Sequence, residues 1–203
     1  MAIPDNLPSD IAAPLLCGGA TVFTPLKTYN VKPGDRVGVI GIGGLGHIAI
    51  QFIRPLGATP IAFSRSVDKE QEIRGLGAEE FYNLSDPEQA QKAIGSVNLL
   101  LITADATNMP YNTYLQLVRP RGTVVMLGIP NDNVTFVPFF LVPRGVRFVG
   151  SVVGSIQDIK DILQVASEKN VRPIIQKLPM SKVNEGLQMV RDGSVRYRVV
   201  LEN

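Results

Sequence analysis

The stretch "RVGVIGIGGLGHIAIQFI", residues 36–53, constrains this chain more than any other. Its first five residues form a short apolar, β-branched run, the mark of a strand buried on both faces. Then come Gly41, Gly43 and Gly46 in the spacing G-x-G-x-x-G, and a helical pattern that runs to Pro55 and Gly57. Such a triad is a weak signal alone and a specific one between a strand and a helix. Gly41 permits the sharp turn, Gly43 lets the backbone come close to a ligand, and Gly46 lets the helix pack against the strand, with Gly44 and Leu45 completing the loop. The helix start offers unpaired N–H groups and a positive dipole end. A loop of this kind suits the pyrophosphate of a dinucleotide.

The remaining chain repeats the alternation. "TPIAFS", "EEFYNL", "VNLLLIT", "TVVMLGI" and "VRFVGSVV" read as strands, separated by helical segments such as "SVDKEQEIRGLG" and "DPEQAQKAIG". Strands alternating with helices of about ten residues predict an α/β fold, a doubly wound parallel sheet of the Rossmann kind. Residues 1–30 read as a lead-in helix and hinge, 31–155 as the dinucleotide-binding domain, and 156–203 as a further helix followed by extra extended segments. The chain has 203 residues, 45% hydrophobic and 19% charged, with a net charge of +2, so an ordered globular fold is expected, with no signal for nucleic acid or a membrane surface. One cysteine excludes an internal disulfide. "MAIPDNLPSD" lacks the basic and apolar regions of a signal peptide, which leads to a cytoplasmic expectation.

The second strand ends in Ser64, Arg65 and Ser66, with Lys69 one turn further on. A domain that prefers NAD carries an Asp or Glu about 20 residues after the loop, to hold the ribose 2′-hydroxyl. An acid there repels a 2′-phosphate, whereas hydroxyls and an arginine fork bind it. The expected cofactor is therefore NADP(H).

"PLLCGGATVFTPL", "VGVIGIGGLGHIAI", "FSRSVDK", "VVGSIQDIKDIL" and "GSVRYRVVLEN" together resemble the zinc-dependent medium-chain dehydrogenases, within them the cinnamyl alcohol dehydrogenase branch. The resemblance covers nearly the whole chain and implies the nucleotide-binding part of an NADP(H)-dependent alcohol dehydrogenase or aldehyde reductase. In that family a GroES-like domain precedes this part and supplies a cysteine and a histidine to a catalytic zinc, whose third ligand is a cysteine at the position of Cys17. Here Cys17 is an orphaned ligand position. A catalytic zinc needs three protein ligands, so no zinc is expected in this chain as given, Cys17 is expected as a small, partly buried thiol, and zinc-dependent turnover by this chain alone is not expected. The resemblance further implies cofactor contacts at Thr103 and Ala104, at Gly128 and Ile129, at Ser151, Val152 and Val153, and from Arg196 to the pyrophosphate. It implies a homodimer through the edge strand 146–153. It makes "VRPIIQKLPM" and "VRYRVVLEN" strands that return to the GroES-like sheet; here they are free to pair with each other, with the lead-in, or with a second chain.

No H-E-x-x-H, G-x-S-x-G or Tyr-x-x-x-Lys pattern supplies a substitute active site. His47 reads as a helix residue near the phosphates or the substrate cleft. Tyr111, Tyr114 and Asp105 are acids or bases by type, with no spacing that demands the role. Two alternatives stay open beside the dehydrogenase reading. One is a dehydrogenase-like protein repurposed for cyclisation, isomerisation or metal-free reduction. The other is a non-catalytic NADP(H)-binding interaction protein.

Overall fold

The computed structural model describes residues 2–203. Six strands form one all-parallel sheet: β1 (Arg36–Ile40), β2 (Thr59–Ser64), β3 (Glu80–Asn83), β4 (Val97–Ile102), β5 (Val118–Met126) and β6 (Arg147–Gly150). Their order is β3-β2-β1-β4-β5-β6, the doubly wound arrangement whose direction reverses between β1 and β4. The run "VNLLLI" explains itself in β4. Leu99 and Leu101 enter the core on one face of the sheet, while Leu100 and Ile102 enter the core on the other.

Helices α1 (Ser9–Pro14), α2 (Ala20–Thr28), α3 (Gly46–Ile53), α4 (Glu70–Gly75) and α7 (Ile156–Glu168) cover the first face; α5 (Pro87–Lys92) and α6 (Tyr111–Leu117) cover the second. The lead-in helix expected within residues 1–30 is interrupted by a π-turn over Leu15–Gly19. Pro14 lacks a backbone donor just before it, and Gly18 and Gly19 relax the backbone within it. A Cβ on Gly19 would stand 3.2 Å from Leu15 and 3.3 Å from Ile162, so the glycine also lets α7 pack close. Leu15, Leu26, Ile162, Leu163 and Ala166 belong to the same buried cluster as Val37 and Val39 of β1. The lead-in and α7 therefore share one core with the nucleotide-binding sheet. Pro55 falls in a short 3₁₀ turn, Arg54–Leu56, where α3 ends, and Gly57 closes it in the left-handed region at φ 76°.

The tail makes a unit of its own. β7 (Ile175–Pro179) and β8 (Arg198–Glu202) pair with each other in parallel, joined by α8 (Val183–Arg191). A Cβ on Gly186 of α8 would lie 3.1 Å from Val199 and 3.3 Å from Leu178, so this glycine sets how closely the helix lies on the pair. Of the pairings open to these strands, the structure shows the one with each other; Lys177 of β7 ties them to the lead-in through Asp10 at 2.6 Å.

Candidate cofactor site

The glycine loop joins β1 to α3 at the carboxyl edge of the sheet, beside the point where the strand order reverses. Each of its glycines has a separate cause. Gly41 sits at φ 87°, and a Cβ there would stand 2.7 Å from the Ala104 Cβ and 2.9 Å from its nitrogen, so both conformation and space demand glycine. A Cβ on Gly46 would press into the Gly41 carbonyl oxygen and lie 3.1 Å from the Thr103 hydroxyl. The first turn of α3 thus rests directly on the loop. A Cβ on Gly43 would meet no protein atom within 4 Å. Its bareness keeps the loop's outer surface open to a ligand. The N–H groups of Gly44 and Leu45 have no protein acceptor among the described residues, the donor pattern an anion uses at a helix start. The Leu45 side chain itself packs on the core.

The Thr103 hydroxyl lies 2.8 Å from the Ile40 carbonyl and 2.6 Å from that of Gly41, in reach to donate to either. It braces the loop from beneath and lines neither cleft described below. Its neighbour Ala104 does line one. Gly128, after β5, has its Cα so close to the Ala104 carbonyl that a Cβ would overlap the oxygen, so the ends of β4 and β5 meet there.

Two clefts flank the loop. The first, of about 370 Å³, runs over the ends of β1 and β2 and is lined by Gly41, Ser64, Arg65, Ser66, Lys69 and Ala104, among others. Arg65 is exposed, and no carboxylate lines this cleft. The Ser66 N–H donates to the Ser64 Oγ at 3.2 Å, and the Ser85 hydroxyl donates to the Arg65 carbonyl at 2.8 Å, so the turn carrying these groups is held by its own bonds. Tyr114 of α6, with Met109 and Leu84, forms the apolar wall. Burial raises the Tyr114 pKa and favours its neutral phenol. Tyr111 is buried as well, with its pKa raised by the same cause, and Asp105 is exposed in the loop after β4.

The second cleft, of about 660 Å³, lies over β5 and β6 and is lined by Gly128, Ile129, Ser151, Val152 and Val153, with Thr21 reaching in from α2. It is mostly apolar, and Ile129 and Val152 are 88% and 82% exposed. Thr21 and Met109 carry no sequence signal, and Tyr114 carries one only by residue type, because nothing local in "GGATVF" or "NMPYNTY" says which helix will lie over a strand end.

The structure places Arg198, and not the Arg196 expected from the resemblance, against the loop. Arg196 is exposed, and its Nε lies 3.9 Å from Glu72 of α4. Arg198 is the one that turns inward: its Nε donates to the Gly44 carbonyl at 2.9 Å, and a Cβ on Gly44 would come within 3.1 Å of it. The cause is where the strand begins: residues two apart on a strand would share a face, but Arg196 lies before β8 and Arg198 is its first residue. Arg196 and Arg198 straddle the buried Tyr197, and only Arg198 lies on β8 with its side chain toward α3 and the π-turn. Burial lowers the Arg198 pKa, yet a guanidinium stays charged at any ordinary pH.

His47 is a helix residue beside the glycine loop, on the phosphate side of the two places expected for it and not in the substrate cleft. It is fully buried and lines neither cleft. Its Nδ1–H donates to the Gly43 carbonyl at 2.8 Å and its Nε2 accepts the Ile174 N–H at 3.2 Å, an assignment set by the acceptor on one side and the donor on the other. Its ring stacks on Tyr197 at 4.6 Å between centroids. Burial pushes its pKa down to about 4. His47 is a bracket between the glycine loop and the tail.

Residues 44–168 match the family described as zinc-binding dehydrogenase. The chain belongs to this family. It is 38% identical over 200 residues to the probable formaldehyde dehydrogenase AdhA of Bacillus subtilis, covering 98% of this chain and 57% of that protein. It is 39% identical to NADP-dependent alcohol dehydrogenase C 1 of Mycolicibacterium smegmatis, covering 100% of this chain and 58% of the relative. The cinnamyl alcohol dehydrogenase structure from Sorghum bicolor superposes with a TM-score of 0.93 at 33% identity, over 99% of this chain and 57% of that one. The chain thus spans a little over half the length of the relatives it matches, and corresponds to their carboxyl-terminal, nucleotide-binding part.

The metal in the family's description needs a donor set that this chain does not hold by itself. Cys17 is exposed on the π-turn, more open than the partly buried thiol expected from sequence. The one histidine has both ring nitrogens engaged elsewhere. Among the described residues no three of His, Cys, Asp and Glu converge. No helix among the described residues is long and apolar enough to cross a membrane.

Proposed function

We propose that this chain is the NADP(H)-binding part of an alcohol dehydrogenase or aldehyde reductase. The observation that carries the reading is the union of the glycine loop with a cationic, acid-free cleft at the end of β2. The Gly44 and Leu45 N–H groups and the α3 dipole hold the pyrophosphate, with the Arg198 guanidinium beside them. Arg65 and Lys69, with the Ser64 and Ser66 hydroxyls, take the 2′-phosphate. Ile129, Val152 and Val153 give the nicotinamide ring an apolar bed that excludes water on one side. Bound there, the cofactor supplies the hydride of a carbonyl reduction. The name of the Mycolicibacterium smegmatis relative supports the choice of NADP.

Calorimetric titration tests this directly. NADPH should bind the chain in the micromolar range and at least tenfold tighter than NADH. Arg65→Ala should erase most of that preference while leaving NADH affinity in place, a loss of about 1.5–3 kcal/mol for one charged hydrogen-bonding group. Equal affinities for the two cofactors in the unaltered chain would sink the 2′-phosphate assignment.

The homodimer reading continues as part of the same proposal. β6 pairs on one side only, with β5, and the nearby Phe139 and Val142 are 71% and 67% exposed. Both features support a second copy meeting this edge. Sedimentation equilibrium should show a dimer that Val142→Asp, a charge placed on the exposed apolar patch beside this edge, converts to monomer; a monomer in the unaltered chain refutes it.

A further inference from the structure

The opposite edge of the sheet carries a second cationic cleft that the cofactor does not use. It lies at the amino ends of β1, β4, β5 and β6 and encloses about 220 Å³. Lys32, Arg119, Arg121 and Arg147 line it. None of the four forms an ion pair among the described residues. One carboxylate lines the cleft, that of Asp35. It is already occupied, accepting the Lys32 N–H at 3.1 Å and the Asn98 Nδ2–H at 2.9 Å.

The backbone is shaped to bring these cations together. β4 and β5 pair at Val97↔Val118 and again at Leu99↔Thr123. Arg119, Pro120, Arg121 and Gly122 therefore stand opposite the single residue Asn98, and the strand bulges outward. Bulges re-aim side chains and cluster beside functional sites. Arg121 sits within this bulge at φ 63°, a left-handed conformation that glycine or asparagine adopts more easily than arginine. Its N–H donates to the Arg144 carbonyl at 2.9 Å, which fixes the turn. A Cβ on the next residue, Gly122, would stand 2.7 Å from the Asn98 carbonyl, so the bulge closes tightly on β4. From the adjacent edge strand, Arg147 lies over the Tyr29 ring with its guanidinium carbon 6.0 Å from the centroid. An unfavourable backbone conformation at a residue that points a cation into a cleft is the kind of outlier from which function is inferred.

We propose that this cleft is an anion site for a compact small molecule bearing two or more phosphate groups, held by Arg119, Arg121, Arg147 and Lys32. The cleft is smaller than the roughly 300–1,000 Å³ typical of drug-sized ligands, so the occupant is little more than its charged groups. Three arginines and a lysine lining a cleft whose one carboxylate is already occupied favour multiple phosphate oxygens over a single carboxylate. The site is independent of the dinucleotide clefts, which lie at the carboxyl ends of the strands.

The test uses the full chain, isotopically labelled, with inorganic pyrophosphate at low ionic strength and amide chemical shifts as the readout. Saturable shifts of the Gly122, Thr123 and Arg147 amides are expected at submillimolar pyrophosphate. Arg147→Ala and Arg121→Gly should each weaken that binding by about tenfold. Arg121→Gly also relieves the positive φ, so loss of binding in that variant is not loss of fold. Shifts confined to the Gly43–His47 amides mean that the probe sees only the glycine loop, and overturn the proposal. So does an absence of shifts, or an affinity unchanged in both variants.

Discussion

Lowering the pH from 7.5 to 5.0 should cost this fold about 2 kcal/mol through one side chain, His47. The ring is fully buried, and burial is the main cause that pushes its pKa from 6.5 to about 4. The nearby Arg198 charge acts in the same direction, while the bond to the Gly43 carbonyl partly opposes it. The geometry explains why the proton is refused: adding one at Nε2 places an N–H against the Ile174 N–H it now accepts. Between the two pKa values the unfolded chain holds a proton that the folded chain does not, so acid favours unfolding. The contribution is complete above about pH 6.5 and is lost as the pH falls toward 4. Integrating that window gives about 2 kcal/mol at pH 5 and approaches ~3.4 kcal/mol well below pH 4. Carboxylates add little above pH 5, and the chain has no second histidine to confuse the reading. Urea unfolding followed by circular dichroism at the two pH values is the assay. With a slope near ~2 kcal/mol/M, the midpoint should fall by about 1 M. His47→Gln should be less stable at pH 7.5, because the bracket to the tail is weakened, and should lose the pH dependence over this range. If the variant keeps the full pH dependence, the protonation argument is wrong.

Other expectations follow from the same loop and tail. Gly41→Ala should destabilise the chain by about 1–3 kcal/mol, since it combines a positive φ with a contact to Ala104, and a thermal melt reads this directly. Gly46→Val should remove dinucleotide binding in a calorimetric titration, because its side chain drives α3 away from the Gly41 carbonyl. Arg198→Met should weaken NADPH and NADH by the same factor, about tenfold or more, whereas Arg196→Met should change neither measurably. A larger effect at Arg196 would return the pyrophosphate role to that residue.

Much of the architecture was legible because the signals were local. The strand–glycine loop–helix unit, the buried run of β4, and the Pro87 start of α5 capped by Asp86 are each written in a few consecutive residues. The cationic turn at Ser64–Lys69 was readable for the same reason, since a strand end fixes where the next few side chains go. What was not legible concerned distance in sequence. Arg196 and Arg198 are both arginines of one short extended segment, and only the pairing of β8 with β7 decides which of them faces Gly44. For His47 the sequence left open the phosphate loop or the substrate cleft, and the tail decides between them by folding back and donating the Ile174 N–H to its ring.

The sequence by itself determined the α/β class, the doubly wound sheet, the glycine loop and the charge beside it. Periodicity, turn chemistry and the steric freedom of glycine act over a few residues, where the chain has little choice. Only the tertiary structure decided that the lead-in and α7 share the sheet's core, and that β7 and β8 pair with each other. It also decided that a four-residue bulge gathers arginines at the far edge of the sheet. Those outcomes depend on which surfaces meet after collapse. That is a matter of packing between residues separated by tens to well over a hundred positions, and no local pattern encodes it.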